Sequence, residues 1–83
     1  MKKIKVSVKK KHIEMGKRES SNCCPIALAL RSMGYRMVNV LVYECSTDIW
    51  GAELPRSATR FINRFDNGKP VKPFTFTIEA WMD

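Results

Sequence analysis

Four side chains in this sequence belong to the types that nucleophilic or metal chemistry uses: Cys23, Cys24, Cys45 and the single histidine, His12. Cys24 stands immediately before Pro25, which opens an Ala/Leu-rich segment. A helix N-terminus there, with lysines nearby, would lower a thiol pKa. A nucleophile also needs a base, and His12 sits on a different segment with no Asn or Asp marked out to orient it. The same four residues add up to a zinc set, but structural zinc sites use Cys-x2–4-Cys pairs that wrap one ion, and adjacent cysteines point apart. The simpler reading is an N-cap thiol beside a small buried one. Glu14, Glu19, Glu44, Asp48, Glu53, Asp66, Glu79 and Asp83 are scattered, with no pair three or four residues apart on a clearly signalled element, so neither acid–base pairs nor hard-metal sites are supported. Gly16, Gly34, Gly51 and Gly68 are isolated turn residues and form no phosphate cradle. No catalytic residue, metal ligand or cofactor is assigned, and the expectation is a non-enzymatic protein.

The basic residues have more substance. Residues 1–18 hold eight lysines and arginines against Glu14 alone, while residues 19–83 hold seven basic and seven acidic side chains. The whole net charge of +7 therefore resides in a strongly basic N-terminal strand and arm. Such a block on a neutral body suits phosphates or an acidic protein surface. It also suits a solvated edge strand, because lysines protect exposed edges from unwanted pairing. Lys3, Lys5 and Lys9 project from one side of the first strand, and Thr75, Thr77 and Glu79 from the matching side of the last, giving an open polar platform. Lys10 and Lys11 continue the basic arm. Arg56, Arg60 and Arg64 recur every fourth residue on a helix, opposite a Phe61/Phe65 stripe, in a row suited to phosphates or carboxylates. A solvated outer face, which any amphipathic helix needs, is the commoner explanation of such a row. Tyr35, Tyr43, Trp50 and Trp81 do not interleave with the lysines as the stacking residues of a single-strand binder would.

These residues need elements to position them. Lys2–Val8 alternates strictly and predicts a half-buried strand. Lys10–Gly16 predicts a helical turn stopped by glycine, and 17–22 a polar loop. Cys24–Gly34 is the clearest helix, with Pro25 at its first position, Ile26, Ala29, Leu30 and Met33 at helical spacing, and Gly34 as the stop. Met37–Glu44, nearly apolar on both sides, reads as a strand in the middle of the sheet. Cys45–Asp48 reads as a turn and Ile49–Glu53 as a short return strand with Gly51 as a weak point. Arg56–Asp66 is a helix with Ala58, Phe61, Ile62 and Phe65 inward, ended at Asn67-Gly68. Phe74–Glu79 is the last strand. The expected fold is a single small α+β domain over residues 1–83, in β-α-β-β-α-β order. Its sheet is mixed or antiparallel, of three to four strands, with two main helices on one face.

Eighty-three residues make one domain. The 45% apolar and 28% charged composition excludes a disordered or collagen-like chain and a disulfide-dense toxin. No window is apolar enough to span a bilayer and no h-region follows the charged N-terminus, so neither a membrane partner nor export is expected. An odd cysteine count without an export signal points to reduced thiols in a cytoplasm.

The run Cys24-Pro-Ile-Ala-Leu-Ala-Leu30, the run from Phe61 to Phe76 with its Asp66-Asn-Gly-Lys-Pro-Val-Lys-Pro73 core, and the opening strand followed by His12-Ile-x-x-Gly16 resemble a group of short uncharacterised phage and prophage proteins. The similarity covers most of the chain, from about Ile4 to Ile78. The motifs are architectural, so no catalytic residue carries over. Lys9-Lys-Lys11 and Cys23-Cys24 depart from the shared pattern. The resemblance implies an accessory protein that binds without catalysis. The leading expectation is docking on a host protein or complex to modulate or inhibit it, anti-defence or anti-CRISPR action included. The alternative is nucleic-acid binding through the basic N-terminal strand. A nucleotide-signal sequestering protein and a Cys/His-dependent enzyme or toxin rank below. Lys3, Lys5, Lys9, Lys10, Lys11, Arg56, Arg60 and Arg64 are the candidate binding residues.

Overall fold

The computed structural model describes residues 2–82; Met1 and Asp83 lie outside the described residues. Alternation in Lys2–Val8 produces strand β1, with Ile4, Val6 and Val8 buried and Lys3, Lys5 and Ser7 exposed. Helix α1 follows at Lys10–Met15 and α2 at Pro25–Ser32. Pro25 occupies the first turn of α2, where a missing N–H costs nothing, and Gly34 takes φ +97°, which only glycine adopts freely. Strands β2 (Asn39–Val40), β3 (Glu44–Ser46) and β4 (Trp50–Glu53) then form a meander. Helix α3 spans Arg56–Asp66 and strand β5 spans Phe74–Met82, three residues longer than its alternation predicts.

All pairings are antiparallel and the sheet order is β1-β5-β4-β3-β2. The last strand thus enters between the first strand and the meander. The fold is α+β as expected, with five strands. The helices cover one face, over a core that joins Ile4, Val6, Val8, Phe76 and Ile78 to Ile26, Leu30, Phe61 and Ile62. Phe61 stacks on Phe74 at 4.7 Å and Phe74 on Phe76 at 5.3 Å, tying α3 to β5. The opposite face of the sheet carries no helix.

The expected central strand over Met37–Glu44 is the main departure. Met37 has φ +52° and is 81% exposed, and only Asn39–Val40 pairs before the chain reverses at 41–43. Leu41 N–H donates to Glu44 O at 2.8 Å, closing that turn. The tip is pinned from outside: Thr59 Oγ1 donates to Val42 O at 2.7 Å and Leu54 N–H to Tyr43 O at 2.8 Å. An apolar run reads as a buried strand only while its carbonyls have ladder partners, and here α3 and the β4–α3 connection take them instead. Cys45 and Ser46, expected in a turn, complete β3, and the turn falls at Thr47–Ile49, where Thr47 Oγ1 accepts from the N–H groups of Ile49 and Trp50.

Candidate functional site

Helix α2 places Cys24 at its N-cap, where the thiol accepts a 3.5 Å hydrogen bond from Ala27 N–H. That geometry would help a thiolate, but burial outweighs it and raises the Cys24 pKa above its ordinary value. Cys45 is buried on β3 and its thiol is pushed up to about 12, by burial first and then by Cys24 and Glu44. Both remain thiols at neutral pH. Among the described residues no group of His, Cys, Asp and Glu is arranged to hold a metal ion.

His12 is buried in α1, and its Nδ1 accepts the Lys9 N–H at 2.9 Å. The proton therefore sits on Nε2, which has no hydrogen-bond partner. Burial, then the charges of Lys11 and Lys9, hold its pKa below the usual 6.5. The unfolded chain thus takes up this proton at a higher pH than the native one. Native stability must fall as pH drops below about 6.5 and level off once the folded histidine also protonates. Thermal melts between pH 7.5 and 5 are expected to show this loss, and His12→Gln should remove that part of it. Identical slopes for both proteins would contradict the assignment.

The eight candidate basic residues do not form one patch. Lys3 and Lys5 lie on the open side of the sheet, opposite Glu79 and Thr77 of β5. Arg56, Arg60 and Arg64 lie on α3, across the sheet from them. Lys9, expected beside Lys3 and Lys5, is the N-cap of α1, and Lys10 pairs with Glu14 at 3.9 Å on the exposed helix surface. Lys11 is exposed on the same turn. The register that pairs Val8 with Phe74 brings this turn to the end of the molecule that also carries Lys72.

The arginine row borders the aromatic stripe instead of opposing it. Arg60 and Arg64 rim a hollow of about 320 Å³ between α3 and the Pro70–Phe74 segment, whose floor is Phe61, Val71 and Phe74, with Lys72 on the far rim. A residue three beyond Phe61 lies only about 60° round a helix from it, which is why Arg64 falls beside the ring. Arg64 also braces the groove, since its Nε and Nη2 donate to Pro70 O at 3.3 and 3.0 Å and hold the far wall in place. Lys72 was legible only as one more charge, because its position opposite Arg60 depends on how the 67–73 turn closes.

The open sheet face is bipolar, not uniformly basic. Beside the Lys3/Lys5 edge it carries Glu79, Glu53 and Glu44 on three successive strands, with Glu44 directly opposite Glu53. Carboxylates far apart in the chain are gathered by the meander's register, which no local spacing could reveal. Trp81, 44% exposed, stands among them. Thr75 and Ser7 hydroxyls meet at 3.3 Å further along the same face. No helix is long and apolar enough to cross a membrane among the described residues. No protein-family model, curated protein or solved structure matches this chain.

Proposed function

We propose that this chain is a non-enzymatic accessory binding protein of the phage type, which docks on an acidic surface of a host protein and modulates or inhibits it in the host cytoplasm. Anti-defence action is one form of that role. The observation that carries the reading is the groove between α3 and the Pro70–Phe74 segment, with an apolar aromatic floor and a rim of Arg60, Arg64 and Lys72. Protein interfaces place apolar and aromatic area at the centre and charge at the rim, whereas a surface that only tracks phosphates needs charge alone. The Lys9–Lys11 turn adds long-range attraction that speeds encounter with an acidic partner. The protonated, buried state of Cys24 and Cys45 weighs against the Cys/His enzyme reading.

The test is affinity capture from bacterial lysate with the tagged chain and with an Arg60→Glu/Lys72→Glu variant, each with and without nuclease. The expected result is a defined host protein that resists nuclease and is lost with the variant. Material that disappears with nuclease, and whose binding falls steeply with salt, would replace this reading with nucleic-acid binding through the basic strand.

A further inference from the structure

We propose that the helix-free face of the sheet is a second docking surface, which takes an extended arginine- or lysine-bearing segment of a partner protein with Trp81 as its anchor. It shares no residue with the cationic groove, and away from its Lys3/Lys5 edge its charged groups are carboxylates. Gly51 lies opposite Trp81 in the β4–β5 pairing, and a Cβ at Gly51 would meet the indole Nε1, Cε2 and Cζ2 at 3.2–3.4 Å. The absent side chain lets the indole lie down on the sheet. Hollows of about 260 and 370 Å³ flank it, Glu44 and Asp48 lining one, Glu53 and Glu79 the other. The aromatic surface is thus bracketed by carboxylates on both sides.

This arrangement opposes the stability of the fold. Like charges directly opposite on neighbouring strands destabilise a sheet, and Glu44 faces Glu53. The chain has 15 lysines and arginines, yet among the described residues the only ion pair is Lys10–Glu14, far from this face. Lys3 stands across from Glu79 at the β1 edge, but Glu44 and Glu53 face each other, and a guanidinium or ammonium from outside supplies the cation they lack: it is attracted to the indole face and pairs with these carboxylates. Alternate side chains of an extended segment lie about 7 Å apart, so two of them straddle the ring and reach both hollows.

The test is an amide-resolved NMR titration of the full chain with a hexa-arginine peptide, and in parallel with spermidine. Saturable shifts are expected at the Trp81 indole N–H and at the Glu44, Glu53 and Glu79 amides, with spermidine at least tenfold weaker. Trp81→Ala is expected to weaken the peptide about tenfold. Glu53→Gln should weaken it several-fold while raising the melting temperature, a pair of opposite effects that a purely structural glutamate cannot produce. Overturning results are shifts spread over the surface without saturation, affinity indifferent to both variants, spermidine binding as tightly as the peptide, or shifts that report dimerisation.

Discussion

Ile26→Ala is expected to lower the stability of this domain by about 2–5 kcal/mol, the range for truncating a large aliphatic core residue that leaves a cavity. Ile26 is fully buried on α2, within the core that joins the helices to the sheet. A domain of this size has only about 5–10 kcal/mol in total, and each kilocalorie moves the melting temperature by about 4–8 °C. Melting should therefore fall by about 8–40 °C. The informative control is Met37→Ala. The local pattern puts Met37 at the head of a buried strand, but the structure leaves it 81% exposed, so its truncation should change stability by no more than about 0.5 kcal/mol. Chemical denaturation of the two variants beside the parent measures both, and comparable losses would contradict the exposed placement of residue 37.

The second large effect concerns the thiols. At pH 8 a thiol with a pKa near 12 is about one ten-thousandth ionised, against roughly a tenth for an ordinary cysteine, so alkylation slows by about three orders of magnitude before burial is counted. Time-resolved labelling with iodoacetamide should modify the half-exposed Cys23 quickly and leave Cys24 and Cys45 unlabelled until the chain unfolds. In guanidinium all three should react together. Rapid native labelling of Cys24 would restore the nucleophile reading that its burial opposes. The same shift carries a linkage consequence. The unfolded Cys45 ionises near 9 and the folded one only near 12, so stability falls progressively as pH rises between those values.

The structure's largest disagreement with local pattern coincides with surface that lacks a structural explanation. Leu41, Val42 and Tyr43 form an exposed apolar tip, Tyr43 being 74% exposed, yet three hydrogen bonds to its backbone hold the turn firmly. Side chains left in water on a rigid support have already lost the backbone freedom that binding would otherwise remove. The fold thus presents three chemically different exteriors: a cation-rimmed aromatic groove, a carboxylate-rich sheet face and an apolar turn.

What the sequence determined by itself is what depends on near neighbours in the chain. Alternation set β1 with its inner and outer residues, the Pro25 start and Gly34 stop bounded α2, and the three-four spacing of Ala58, Phe61, Ile62 and Phe65 gave α3 and its inward face. Those signals survive because hydrogen-bond period and side-chain direction are fixed within a turn or two of backbone. The excess charge of residues 1–18 was also plain. What only the tertiary structure decided is every relation across the sheet: β5 entering between β1 and β4, the apolar run 37–44 breaking into a pinned turn, Lys72 closing the groove against Arg60, and Glu44, Glu53 and Glu79 meeting around Trp81. Those relations rest on register between residues up to 78 positions apart, and register is chosen by whichever pairing buries the most apolar area, a sum over the whole chain that no single segment contains.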